Sequence, residues 1–239
     1  RAKEVLISSG SIERPLVFGN NDTPGVMLSS AAKEYLKVYG VLVGRKPLIF
    51  TNNDSGYETA IEFKKNGIDP IILDTRKDPH SEIIDEAKNL GIEIKFSFVV
   101  VAAKGYKKVK SADIAKISDD KEQLGTIENI KCDCICVSGF WTPTIHLASQ
   151  SGNKTQFKEE IDAFIPGESK QNEKTLGAAN GIYTLDETLK SSFETGNEIS
   201  KKITNIENKV SFPNVVEKKS TVHDKFWCVP LPKGKNYKR

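Results

Sequence analysis

The sequence predicts an α/β fold built on a parallel sheet, and three observations predict it. First, a strand, a helix and a second strand follow one another between Pro47 and Leu73. A crossover of that kind joins strands that run in the same direction. Second, short apolar runs rich in Val, Ile and Leu recur before and after this unit. Third, the helical stripes between the runs stop at glycines, namely Gly40, Gly67 and Gly91, where a left-handed residue closes a helix cheaply. The 239 residues are 38% hydrophobic and 28% charged. That fits a globular chain of one large or two small domains and excludes collagen-like, disulfide-dense and disordered classes.

Taken in order, Val5–Ser8 reads as a short buried strand ending in Ser9-Gly10. A polar loop leads to Pro24–Met27, and Ser29–Tyr39 reads as a helix because Ala31, Tyr35 and Val38 share one stripe. Pro47–Phe50 is a strand, Gly56–Asn66 a helix, and Pro70–Leu73 a strand. Ser81–Leu90 is the next helix and Ile92–Phe96 the next strand. Phe98–Ala103 and Tyr106–Ile117 are extended and meet at Lys104-Gly105, as in a hairpin. Cys132–Ser138 is another buried strand, ending in Gly139. Alternation places Cys132, Cys134 and Cys136 on one face of it. Phe157–Ala163 and Leu185–Ser192 read as helices, and from about Asn205 the chain turns polar and lysine-rich.

The turn between the first crossover strand and its helix is Thr51-Asn52-Asn53-Asp54-Ser55-Gly56. A strand, tight turn and helix start bring backbone N–H groups to a pyrophosphate in Rossmann-like units. Set on the pattern G-x-G-x-x-G, the three key positions are Thr51, Asn53 and Gly56, so one glycine of three remains. Asn tolerates positive φ, but a Cβ at position 53 obstructs a phosphate. Asp74 follows Gly56 by eighteen residues, about where a ribose-binding carboxylate belongs, and Arg76 suits a 2′-phosphate. Two readings stay open: a working nicotinamide site, or a Rossmann-like unit that keeps the architecture without the nucleotide.

Net charge is +3, too small and too dispersed to argue for nucleic acid, and the cations are mostly lysine. No window has the length of a membrane span. The spacing of Cys132, Cys134 and Cys136 is not that of a redox pair or zinc site, so these three read as small buried hydrophobes; Cys228 stands alone near the C-terminus, and the cytoplasm reads as the compartment. His80 reads as solvated, His146 as a capping or packing residue, and His223 as uninformative. No Ser/His/Asp arrangement is defensible. Glu159-Glu160, Lys201-Lys202 and Lys218-Lys219 read as exposed charge.

Three stretches together carry a resemblance: VLISSGSIERPLVFGNNDTPGVM, TNNDSGYETA and CDCICVSGFWTPTIHLASQSGNK. They resemble the flavoprotein disulfide reductase superfamily, in which a second dinucleotide domain is inserted into the first. More narrowly, with TLGAANGIYTLDETL, they resemble the α subunits of heterotetrameric sarcosine oxidases. The resemblance implies an α/β, Rossmann-like two-dinucleotide-binding-domain fold of the FAD/NAD(P)-binding type, with the first domain incomplete. It divides the chain into residues 1–45 plus 126–204, returning to the first domain; residues 46–125, the inserted domain; and 205–239, a linker toward a folate-binding domain. The start at Arg1 and the single Met27 agree with a central piece of a longer subunit.

For function, the resemblance implies oxidative demethylation of sarcosine with O2 and tetrahydrofolate, giving glycine, peroxide and a methylene-folate. NAD belongs to this subunit. FAD, on the β subunit, and FMN, at the interface with it, belong to the complete complex, as does tetrahydrofolate. The partners are the other subunits, with neither nucleic acid nor membrane. The implied NAD contacts are Gly10, Gly177, Ala178, Asn180, Gly181, Tyr183 and Leu185, with Gly177 and Gly181 allowing backbone approach and Asn180 standing where the superfamily has Asp. No catalytic acid, base, nucleophile or metal ligand is expected, so the piece alone is inactive. The alternatives are an FAD-dependent NAD(P)H reductase, an amine or opine dehydrogenase subunit, and a non-catalytic assembly module.

Overall fold

A computed structural model describes residues 2–205, 215 and 223–232. The strands along the chain are β1 (Val5–Ile7), β2 (Ser11–Glu13), β3 (Val26–Leu28), β4 (Pro47–Thr51), β5 (Ile71–Asp74), β6 (Glu93–Phe96), β7 (Phe98–Gly105), β8 (Val109–Ile117), β9 (Leu124–Lys131), β10 (Cys134–Ser138), β11 (Trp141–Pro143), β12 (Thr155–Lys158), β13 (Ala163–Pro166) and β14 (Glu173–Thr175). The helices are α1 (Ser29–Tyr39), α2 (Ser55–Lys65), α3 (Glu82–Asn89), α4 (His146–Gln150) and α5 (Leu185–Thr204).

Contacts divide the chain into two compact units. Unit 1 is Arg1–Ile12 with Trp141–Lys218, and unit 2 is Glu13–Phe140 with Lys219–Arg239. These limits differ from the expected ones at residues 46 and 126. The difference has a simple cause: β3 and β10, which lie outside those limits, hydrogen-bond into the same sheet as β4.

The sheet of unit 2 has the order β3-β10-β4-β5-β6 and all its pairs are parallel. Every residue of β4 and of β10 is buried, as expected of a parallel sheet covered on both faces. On one face, Ile49, Ile72, Cys134 and Cys136 pack with Tyr57, Phe63 and Ile84 of the helices. On the other, Leu48, Phe50, Leu73, Ile135 and Val137 pack with Val99, Val100, Ile114 and Ala115 of the antiparallel sheet β7-β8-β9.

Cys132 departs from the expected common face and joins the second of these cores. It lies before the first paired residue of β10. There Asp133 receives the backbone N–H groups of Arg45 and Lys46 at 2.8 and 2.7 Å and bends the chain. Strand β9 has no counterpart in the sequence reading. Its apolar residues, Leu124, Ile127 and Ile130, recur at every third position on a mostly exposed edge, so no period-two signal marks it.

Helix α1 rests on a buried carboxylate. Glu13 is 4% exposed and its Oε2 accepts the N–H of Ser30 at 2.8 Å, which satisfies one of the open backbone donors of the helix N-terminus. Burial raises the Glu13 pKa above its ordinary value, although bonds from Ser30 and Ser138 and the charge of Lys33 pull the other way. A folded-state pKa above the unfolded one contributes stability below the unfolded pKa, and that contribution is lost as pH rises through the folded one. Glu13→Gln should therefore gain on the wild type as pH rises. Urea midpoints at about pH 5 and about pH 8 should show the difference widening toward the higher pH. A pH-independent difference would contradict this.

In unit 1, β1 runs parallel to β14, pairing Val5 with Glu173 and Ile7 with Thr175. Only Ile7 of β1 is buried, so the expected buried strand is half exposed; β14 is its one paired neighbour among the described residues. Phe157–Ala163 is not a helix. Strands β12 and β13 form an antiparallel hairpin, joined by a 3-10 turn over Glu159–Ile161 and closed by Asp162 at φ 47°. The cross-strand partners Phe157 and Phe164 meet edge-on at 5.2 Å, a pairing that favours the hairpin. Helix α5 extends twelve residues past the expected Ser192, to Thr204.

The expected linker needs correction where the structure describes it. Phe226 and Val229 are 5% and 1% exposed and lie in the core of unit 2. The remainder of 206–239, Lys218-Lys219 included, lies outside the described residues apart from 215 and 223–232.

Candidate functional site

Two places at the carboxyl ends of parallel strands are candidates, because open α/β sheets take ligands there. The first is the β4–α2 turn of unit 2. Thr51 is 0% exposed, Asn52 0% and Asn53 2%. The Thr51 hydroxyl donates to the Asn53 carbonyl at 2.8 Å and accepts its N–H at 3.2 Å. Asn53 turns its side chain inward. Its Nδ2 donates to the Ser138 carbonyl at 3.2 Å, and its Oδ1 accepts the Ser55 N–H at 2.8 Å. The N–H groups of Asn53 and Ser55, which an intact motif would offer to phosphate, are thus satisfied by the side chains that replace its glycines.

Asp74 and Arg76 are likewise turned inward. The Asp74 carboxylate is 0% exposed. It accepts the Tyr57 hydroxyl at 2.7 Å and Arg76 Nε and Nη2 at 3.0 and 2.8 Å. Arg76 Nη1 reaches Asp54 at 2.9 Å. Burial works against the Arg76 charge, but the bonds and charges of Asp74 and then Asp54 outweigh it and hold the guanidinium protonated. Burial, then Asp74, pushes the Tyr57 hydroxyl far above its ordinary pKa, so it stays a donor. The residues read as ribose and 2′-phosphate contacts bind one another instead.

The second place is in unit 1, where β1 and β14 end side by side. Leu176 N–H donates to the Ile7 carbonyl at 2.9 Å. The turn Gly177–Asn180 follows, and α5 begins at Leu185. Gly10 has φ 72° and nothing within 4 Å of the position of a Cβ; its carbonyl accepts the Thr144 N–H at 2.9 Å. Gly177 and Gly181 have φ 62° and 70°, and a Cβ on Gly181 would stand 2.7 Å from Ile161 Cδ1. Backbone conformation and packing therefore already account for these two glycines. Ala178 is half-buried. The Tyr183 hydroxyl donates to the Trp141 carbonyl at 2.9 Å, and Leu185 is exposed. Asn180 borders a cavity of about 430 Å³ with Leu176, Ile182, Glu173, Ser191 and Thr195. The structure thus gathers Gly177, Ala178, Asn180 and Gly181 on one turn, with Gly10 on the loop after the paired strand.

Elsewhere the chemistry is sparse. None of the four cysteines is in a disulfide. Burial pushes the Cys132 thiol up to about 12; the bond with Cys134 and then burial raise that of Cys136. Such thiols do not ionise at neutral pH. His80 is exposed beside Asp78, His146 is exposed at the start of α4, and Glu159 and Glu160 are exposed. His223, uninformative in the sequence, is 5% exposed and stacks on Phe140 at 4.0 Å. Among the described residues no cluster could hold a metal ion, and no helix is long and apolar enough to cross a membrane.

No protein-family model matches the sequence. Sarcosine oxidase subunit alpha of Corynebacterium sp. strain P-1 is 31% identical over 198 residues, 82% of this chain and 20% of that protein. The subunit of the same name from Rhizobium meliloti strain 1021 is 37% identical over 180 residues, 74% and 17% respectively. The chain thus spans about a fifth of the length of these relatives. Among solved structures, T. acidophilum thioredoxin reductase matches with a TM-score of 0.59 and 16% identity, over 75% of this chain and 58% of that one. The flavoprotein disulfide reductase RclA of Escherichia coli matches at 0.60 and 14%, over 85% and 45%. These likenesses show the fold of FAD/NAD(P)-binding oxidoreductases, as the sequence predicted.

Proposed function

We propose, on the premise that this chain is a relative of one segment of the sarcosine oxidase α subunit, that it forms the nucleotide-binding core of such an oxidoreductase and that unit 1 takes NAD. The reaction proposed for the whole assembly is the oxidative demethylation of sarcosine with O2 and tetrahydrofolate, giving glycine, hydrogen peroxide and a methylene-folate. FAD and FMN chemistry falls to the β subunit and to the interface with it. This chain contributes scaffold and cofactor pocket.

The observation that carries the NAD reading is the parallel pairing of β1 with β14. It brings the Gly177–Asn180 turn and the loop of Gly10 to the same end of two strands, just before a helix N-terminus, a place suited to a phosphate-bearing ligand. When bound, NAD would supply a nucleotide held without turnover. The chain's own residues bind and orient it. The open space over Gly10 admits backbone approach. The Asn180 amide offers a neutral donor and acceptor to a hydroxyl, in place of the carboxylate suited to a flavin ribityl chain. The filled turn of unit 2 argues against a stand-alone NAD(P)H reductase, which needs that turn in working order, and supports an assembly role for unit 2.

The test is the complete subunit purified with its neighbours. Heat denaturation should release NAD, and Asn180→Leu should weaken its retention about fivefold, the loss of one hydrogen bond. Sarcosine should drive peroxide formation. A preparation that forms peroxide yet contains no NAD would sink the NAD assignment.

A further inference from the structure

Residues 223–229 lie over the end of the unit 2 sheet where the nucleotide reading placed a ligand. Asn52 follows β4 and Thr75 follows β5, so both stand at carboxyl ends of adjacent strands. Asn52 Nδ2 donates to the carbonyls of Asp224 and Phe226 at 2.8 and 3.1 Å. The Asp224 N–H donates back to the Asn52 carbonyl at 2.9 Å. The Asp224 carboxylate accepts the Thr75 hydroxyl at 2.8 Å, and Lys121 Nζ lies 2.9 Å from the same oxygen. Beyond it, Val17 N–H donates to the Trp227 carbonyl and Val229 N–H to the Val17 carbonyl, each at 2.8 Å. The Arg14 guanidinium sits 3.7 Å from the Trp227 ring centre.

This is recognition of a peptide: backbone bonds on both edges, side-chain anchors in the core, and one anion held by a hydroxyl and an ammonium. We propose that the ligand position of unit 2 is a peptide-binding cleft, that its occupant is the chain's own segment His223–Val229, and that the unit consequently takes no pyridine nucleotide. The Asp224 carboxylate is the anion at the strand ends. The side chains of Thr51 and Asn53 use the amides that a pyrophosphate would need, and Asn52 is turned to the segment. The inference stands whether or not unit 1 binds NAD.

Hydrogen exchange on the full chain tests it, read at the amides of Asp224, Phe226 and Val229 and across residues 51–56. In the wild type these amides should be protected, and millimolar NADPH or NADH should change their exchange by less than about twofold. Asp224→Ala, which alters only the segment, should speed exchange at Phe226 and Val229 roughly tenfold. Asn52→Ala should do so at least as strongly. Protection of residues 51–56 by NADPH, with faster exchange at 223–229, would overturn the proposal. So would exchange at Phe226 and Val229 that is fast in the wild type and unmoved by Asp224→Ala. NAD release from the complete complex, the test of the unit 1 reading, is a separate measurement, so either reading can fail alone.

Discussion

Replacing Arg76 with alanine should destabilise unit 2 by about 3–5 kcal/mol, the usual cost of removing one partner from a buried ion pair. The side chains of Arg76 and Asp74 are 9% and 0% exposed, so solvent screens the pair little. Asp74 would keep the Tyr57 hydroxyl and the Arg76 backbone N–H at 2.9 Å, too few partners for a carboxylate away from water. Asp54 would lose its guanidinium partner as well. Tyr57→Phe removes a single donor and should cost less, about 1–3 kcal/mol. Urea unfolding followed by circular dichroism measures both. The competing view of Arg76, a cation waiting for a 2′-phosphate, expects a loss nearer that of a solvated charge. A value below about 1 kcal/mol would favour that view.

The residues themselves show what was legible in advance. The strand–helix repeats from Ser29 to Phe96 could be read because β4 and β5 are apolar runs buried in the sheet and each helix stops at a marked residue; Gly40, Gly67 and Gly91 all have positive φ. Phe157–Ala163 misled because the hairpin places Phe157 and Phe164 outward and exposed, which removes the alternation that marks a strand. The candidate site was legible in part. The altered glycines of the β4–α2 turn were visible, and so was the spacing of Asp74 and Arg76. Their mutual satisfaction was not, because it depends on Tyr57 and Asp54 meeting them in three dimensions. The segment around Asp224 carried no periodic signal at all. Its partners Asn52, Thr75 and Lys121 lie over a hundred residues earlier, and pattern along a chain does not report long-range pairing.

Gly56→Ala should be the second large effect. A Cβ there would stand 2.6 Å from Thr51 Cβ, 2.7 Å from its Oγ1 and 3.0 Å from its Cγ2. Thr51 cannot swing away without giving up both hydrogen bonds to Asn53. Overpacking of this kind costs about 1–3 kcal/mol, and the better helix propensity of alanine offsets less than about 1 kcal/mol of it. Thr51→Gly, which removes the obstructing atoms, should absorb much of the penalty. The double variant should therefore be about 1–2 kcal/mol more stable than the sum of the single changes implies. Additivity to within about 0.5 kcal/mol would show that the two positions do not touch in solution. The pairing also bears on why one glycine of the motif remains. In a dinucleotide turn the first two glycines serve the tight turn and the approach of the pyrophosphate, while the third lets the helix pack on the strand. In unit 2 the third alone is present, and its neighbour Thr51 already uses the space that a Cβ would need. The requirement for close helix–strand packing persists where the turn amides are bonded within the chain.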